Sequence, residues 1–263
     1  MNMKKIMLMA LIGIINLLIG CGDNANPDTD LEKNDSAASN AATGTIPDTL
    51  TNKLSSEEAS AGWKVLFDGN SLNGWRTYQN KKSDSWSVKD GILYCKGSDS
   101  DKTDLRSDLI SENQYENFEL SADWKISPKG NSGIIYMVNE KSKAAYMSGP
   151  EYQVIDDIGF PEKLEDWQKT GANYAMNPAP EAAPNPVGEW NTTKIIVNKG
   201  HVEHWLNGKK IVEYQVGSDT WKAEKAKGKW KDTPEYGMSK KGHIALQDHG
   251  SEAWFRNIKI KEL

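Results

Sequence analysis

The chain has 263 residues, 37 acidic against 32 basic side chains, and a formal net charge of −5 at pH 7. That balance argues against a nucleic-acid partner, which demands a basic surface. All ten tryptophans lie at or beyond Trp63, so the part able to build a core is C-terminal.

In chain order, Lys4 and Lys5 precede an apolar run from Ile6 to Gly20 that only Asn16 interrupts. The run is shorter than the roughly 20 residues of a bilayer span. A basic start and a short apolar stretch read as a secretory signal. The run ends Leu18-Ile19-Gly20-Cys21, matching the lipobox of bacterial lipoproteins, with a small residue before the cut and a thiol after it. Residues 1–20 are therefore expected to be a lipoprotein signal peptide. Cys21 is expected to carry a diacylglycerol thioether, which further acylation turns into a stable membrane anchor. The expected location is the bacterial cell envelope, lipid-anchored, on a periplasmic or outer-membrane face. With Cys21 modified, Cys95 has no disulfide partner. It sits in the strand-like run Ile92-Leu93-Tyr94-Cys95, where a buried, inert thiol is expected. Residues 21–60 are rich in Asn, Asp, Ser, Thr and Ala and hold no aromatic residue, so they read as a flexible lipidated tether. Residues 61–263 read as one domain.

That domain is patterned as strands and turns. Trp86 to Tyr94 is a hairpin around Asp90-Gly91. In Phe118 to Ile126, period-two alternation puts Phe118, Leu120, Ala122, Trp124 and Ile126 on one face. Further strands follow over Ser132 to Val138, Lys194 to Val197, His201 to Leu206, Lys210 to Val216 and Ala253 to Ile260. Turns fall at Asn198-Lys199-Gly200 and Asn207-Gly208. Many short strands with regular turns predict an all-β sandwich. Short helices are expected only near Glu162 to Trp167 and Thr220 to Lys227. Tyr174 to Gly188, with four prolines, cannot be a central strand and reads as a long loop.

Polar residues cluster where a plain sandwich would not need them. Glu151 and Gln153 share a strand face. His243, Ala245, Gln247 and His249 share another, opposite Ile244 and Leu246. With Ile244 and Leu246 in the core, Gln247 and His249 would face a groove that Glu151 and Gln153 line from a second strand. Convergent amides, a carboxylate and an imidazole suit a polyol ligand and acid–base chemistry, although the same pattern also fits a solvated outer face. Asp156-Asp157 reads as a turn pair, a calcium ligand or, for Asp156, an acid. Trp124, Trp205 and Trp254 fall in strand patterns and read as core. Trp75, Trp167 and Tyr174 lie near turns and are platform candidates. Arg76 either binds substrate or pairs with a carboxylate. His201 and His204 lie on opposite strand faces, which is poor metal spacing. No zinc-type cluster, nucleophile elbow or phosphate loop is present in the sequence.

At these residues the sequence resembles the bacterial 3-keto-disaccharide hydrolase family. The matching pieces include Leu66-Phe-Asp-Gly-Asn-Ser-Leu-Asn-Gly-Trp75, Gly130-Asn-Ser-Gly-Ile134, Glu151-Tyr-Gln-Val-Ile-Asp-Asp157 and Gly242-His-Ile-Ala-Leu-Gln-Asp-His-Gly250. The resemblance runs from about Trp63 to Leu263. It implies a concanavalin A-like jelly roll acting on glycosides whose sugar carries a ketone at C3. Such a substrate is cleaved by C2 proton abstraction, elimination of the aglycone and hydration. On this basis His249 is the expected base, and Glu151 or Asp156 the acid. Gln153, Gln247, Asn131 and Ser132 would hold hydroxyls or the enolate oxygen, with Arg76, Tyr174 and Trp167 as further substrate contacts. No cofactor is fixed by the sequence, and a divalent metal ion near the ketone is compatible with the route. Two other readings stay open: a lectin-like carbohydrate-binding module, and a conventional glycosidase with two carboxylates flanking the bond.

Overall fold

The computed structural model describes residues 51–98 and 105–263. The segments expected to be a signal peptide and a tether, with Cys21, lie outside the described residues up to residue 50. The chain runs α1 (Ser56–Ser60), β1 (Trp63–Val65), β2 (Trp75–Thr77), β3 (Trp86–Lys89), β4 (Ile92–Cys95), β5 (Leu109–Ser111) and β6 (Phe118–Ile126). It continues through β7 (Asn131–Val138), β8 (Glu151–Ile155), β9 (Asn191–Asn198), β10 (His201–Leu206), β11 (Lys209–Gln215), α2 (Asp219–Lys227), β12 (His243–Leu246) and β13 (Ala253–Glu262). These strands form two antiparallel sheets. The larger has the order β11-β10-β9-β6-β13-β4-β3, with β1 added on β13, and the smaller has the order β2-β5-β12-β7-β8. The architecture is the expected all-β jelly-roll sandwich.

Local chemistry explains the elements. Asp90-Gly91, Lys199-Gly200 and Asn207-Gly208 all have positive φ at both residues, as tight two-residue hairpin turns of the primed type require. The inward residues of β6 (Phe118, Leu120, Ala122, Trp124 and Ile126) are all buried, as period two demands. They pack against Ile134, Tyr136, Tyr152, Val154, Ile244 and Leu246 of the smaller sheet. Behind that sheet a second apolar cluster gathers Tyr78, Ile110, Ile135, Val138, Ala145 and Ala245. The smaller sheet thus carries apolar side chains on both faces, and its outer face also carries the candidate site. Of the expected helices, α2 is present over Asp219–Lys227, capped by the Ser218 hydroxyl, whereas the earlier one is a single 3-10 turn, Asp166–Gln168.

Several expectations are corrected. Residues 51–60, read as tether, belong to the domain. Asn52 and Asn257 of β13 exchange hydrogen bonds at 2.7 and 2.8 Å, and Asn52 Nδ2 donates to Gly91 O. Ser55 and Glu58 form a capping box on α1. Trp205 and Trp254 are not core. They lie half-buried on the outer face of the larger sheet, with Lys194 Nζ 4.3 Å and Lys125 Nζ 4.8 Å from their ring centroids. Trp75 is no platform, because it is buried with its indole N–H donating to Leu66 O at 2.7 Å. Cys95 is buried as expected, and burial pushes its thiol far above the ordinary range.

Candidate active site

Strand register builds the site. Glu151 lies beside Ile135 and Gln153 beside Gly133. Ala245 lies between Ile135 and Ile110, and Gln247 N donates to Gly133 O at 2.9 Å. Since Ile244 and Leu246 face the core, Gln247 joins Glu151 and Gln153 on the outer face, as expected from alternation. The same alternation carries Asp108 there, because the next residue, Leu109, faces the core and Ile110 faces out.

Glu151 is 4 % exposed. Burial raises its carboxyl, Lys229 pulls it down, the charge of Asp108 raises it, and a hydrogen bond from Gln247 lowers it, leaving the pKa at about 8. It therefore holds its proton at neutral pH. Gly133 makes room for it: a Cβ there would stand 2.6 Å from Glu151 Oε1. Asp108 is half-buried, and its Oδ1 accepts the backbone N–H of Asp248 at 2.9 Å. Burial raises this carboxyl to about 6, so it is ionised at neutral pH. Two carboxyl groups on one face with separated pKa values are the mark of divided acid and base roles.

Around them, Gln153 Oε1, Gln247 Oε1 and Asn131 Oδ1 are buried and have no hydrogen-bond partner among the described residues. Leaving a buried carbonyl unpaired costs about 1–3 kcal/mol. Three such oxygens on one face form a set that ligand hydroxyls would satisfy. Gln153 Nε2 is anchored to Gln168 O at 3.1 Å, which fixes its amide. Tyr174 and Trp167 flank the β8 edge. The Tyr174 N–H donates to Glu151 O at 3.0 Å, and its ring meets Trp167 edge-on at 5.6 Å.

Other expected site residues are placed differently. Asp156 is a turn anchor: its Oδ2 accepts Lys129 N, and its Oδ1 accepts Ile158 N and Gly159 N, at 2.7–3.1 Å. Burial works against the charge, but these amides hold the carboxyl below its ordinary range, so it is no proton donor at neutral pH. Ser132 faces inward and donates to Gln247 O at 2.9 Å, bracing the end of β12 from beneath. Arg76 takes the carboxylate-pairing alternative, gripping Glu140 through both terminal nitrogens at 2.8 and 2.6 Å. His249 is not on the strand face, because β12 ends at Leu246. Asp248 turns inward to Arg106 at 2.8 Å, and His249 stands exposed in the following loop with no hydrogen-bond partner among the described residues.

Asp108 escaped the sequence reading. Its signal was the alternation of a strand only three residues long. His204, on the inner face of β10, is buried between Tyr136 Oη at 2.8 Å and Gly171 O at 2.9 Å, and burial lowers its pKa to about 4. Among the described residues, one group has metal-ligand spacing: His201, Glu203 and Glu213, on the β10–β11 hairpin of the larger sheet. Lys210 already pairs with both glutamates there. Cavities of 440 and 430 Å³ lie away from the groove, and Glu151, Asp108 and Gln247 line neither.

Solved structures give the class. A crystal structure of a protein from Parabacteroides distasonis classed as a glycosyl hydrolase matches with a TM-score of 0.75 at 42% identity, covering 81% of this chain and 99% of that one. A second from the same organism, classed alike, matches with a TM-score of 0.57 at 28% identity over 76% of this chain and 99% of its own. With the buried carboxyl and the unpartnered amide oxygens, this chain is a jelly-roll enzyme of the glycoside-cleaving hydrolase class. A curated 3-keto-disaccharide hydrolase of Bacteroides thetaiotaomicron is 36% identical over 228 residues, 77% of this chain and 79% of the relative. The profile of the 3-keto-alpha-glucoside-1,2-lyase-like domain matches residues 62–261, and the chain belongs to that family.

Proposed function

We propose that this enzyme cleaves glycosides whose sugar carries a ketone at C3. The observation that carries the reading is a buried Glu151 carboxyl on one sheet face with Asp108 and with three buried amide oxygens that have no partner among the described residues, burial raising both carboxyl groups. The ketone acidifies the C2–H bond. Asp108 takes that proton, and the electron pair forms the C2=C3 enolate. As the ketone re-forms, the electrons make C1=C2 and the C1–O bond to the aglycone breaks. Glu151 gives its proton to the departing oxygen. Water then adds to C1, returning a proton to Glu151, while Asp108 returns the first one to C2. Both carboxyl groups end as they began. Gln153, Gln247 and Asn131 supply amide contacts to sugar hydroxyls and to the enolate oxygen. Asp108 takes the base role in place of His249 because its carboxylate is oriented by the Asp248 amide, whereas His249 has no orienting partner.

The test is incubation with 3-keto-glucosides and their unoxidised parents, with and without chelator. Turnover of the keto forms alone is expected. Hydrolysis of the parents alone would establish ordinary glycosidase chemistry instead. Loss of turnover with chelator would add a metal ion to the route.

We further propose that Cys21 carries the lipid anchor and holds the domain at the cell envelope; the lipobox motif supports this. Incorporation of labelled fatty acid in the native chain, abolished in Cys21→Ala, is the expected result. Equal labelling of both would move the anchor elsewhere.

A further inference from the structure

Beside Glu151 lies a cluster of side chains that exchanges no proton in the steps above, although its Lys229 favours the ionised form of that carboxyl. The 3-10 turn Ala145–Met147 brings Tyr146, residues 166–175 bring Trp167 and Tyr174, and the segment after α2 brings Lys229 and Trp230. The Tyr174 ring meets Trp167 at 5.6 Å and Trp230 at 6.5 Å, and Trp230 meets Tyr146 at 6.4 Å. Trp230 is held from behind. It stacks on Tyr236 at 4.3 Å, and Tyr236 lies parallel to Trp221 of α2, each pair within 7° of coplanar. Its indole N–H donates to Tyr174 O at 3.2 Å. The ring surface is therefore rigid, yet open in front: Trp167 is 36% and Tyr146 39% exposed.

Lys229 crowns these rings. Its Nζ lies 4.3 Å from the Tyr174 centroid, 4.9 Å from Trp230 and 5.7 Å from Tyr146. It makes no ion pair among the described residues, although the chain carries more acidic groups than basic ones. A cation held over ring faces and left unpaired offers its charge to a ligand. Flat ring faces favour a flat, weakly hydrated group. The Tyr174 N–H bonded to Glu151 O puts the cluster on the acid's side of the groove, which is the side the departing oxygen occupies.

We propose that Tyr146, Trp167, Tyr174 and Lys229 form the leaving-group subsite, and that it selects ring-shaped aglycones bearing negative charge, such as an aryl carboxylate, over small neutral alkyl groups. This rests on the keto-glycoside reading above. The test compares kcat/KM for the methyl, phenyl and 4-carboxyphenyl 3-keto-glucosides of one anomer in the native chain, Lys229→Met and Tyr146→Ala. In Lys229→Met the carboxyphenyl-to-phenyl ratio is expected to fall about 10-fold, the loss of one charge-assisted contact. In Tyr146→Ala the phenyl-to-methyl ratio is expected to fall roughly 3–10-fold. Both side chains are exposed, and a ratio does not depend on the fraction of protein that is active. Equal losses on all three substrates, or unchanged ratios, would overturn the subsite while leaving the keto-glycoside reading standing. No turnover of any of the three by the native chain would overturn both.

Discussion

Glu151→Gln is expected to lower kcat/KM for a 3-keto-glucoside by roughly 10²–10⁴-fold, the worth of a positioned proton donor. The amide fills the same space between Gly133 and Gln247 but has no proton to give. The same change is expected to stabilise the fold at alkaline pH. The ordinary pKa of the carboxyl is 4.5, and in the folded chain it is about 8. Below pH 4.5 both folded and unfolded chains hold the proton, and the site costs nothing. Between 4.5 and 8 the unfolded chain releases its proton while the folded chain keeps it. Folded stability therefore falls as pH rises through that window, and the loss is complete above 8. Glutamine carries no such penalty. Melting curves at pH 4.5 and pH 8 are expected to show a variant close to the native protein at the lower pH and more stable than it at the higher. Parallel pH slopes, or retained turnover, would refute the assignment. The native rate is also expected to decline above about pH 8, as the donor loses its proton.

For Asp108→Asn the expected loss in kcat/KM is again about 10²–10⁴-fold. The diagnostic is the acid side of the pH–rate profile. With Asp108 as base, the native profile rises through about pH 6 and falls through about 8, giving an optimum near neutrality. These apparent values belong to the pair of carboxyl groups together. Residual activity in Asp108→Asn is expected to lack the acid limb, because the group whose ionisation it reports is gone. His249→Ala serves as the comparison. A small effect there beside a large one in Asp108→Asn keeps the base at Asp108, just ahead of β5. The reverse result, with the acid limb lost in His249→Ala, returns the role to the imidazole.

The residues that could be placed from sequence were those governed by local periodicity. The inward face of β6 followed from alternation, and three hairpins followed from glycine-containing turns, because both depend on neighbours a few positions away. Glu151, Gln153 and Gln247 reached the groove face for the same reason. His249 lies two residues beyond Gln247 in the exposed loop, past the point where Ser132 holds the Gln247 carbonyl and Arg106 holds Asp248. Neither contact is local in sequence. Asp108 is the converse case. It is read as a groove residue only once β5 is known to pair with β12, and its bond to Asp248 spans 140 positions. Trp205 and Trp254 were misplaced because an aromatic in a strand fits either face. Lysine side chains lying over the rings cover these two indoles on the outside, work that a core would otherwise do. The aromatic cluster around Lys229 draws on three separated segments and has no sequence signature.

The exchange of hydrogen bonds between Asn52 and Asn257 fastens the start of the described domain to the larger sheet, while the side chains of the candidate site lie on the outer face of the smaller one. The segment leading into α1 and the candidate site thus lie on opposite outer faces of the sandwich, so changes around Asn52 are expected to alter stability and leave the site carboxyl groups in place.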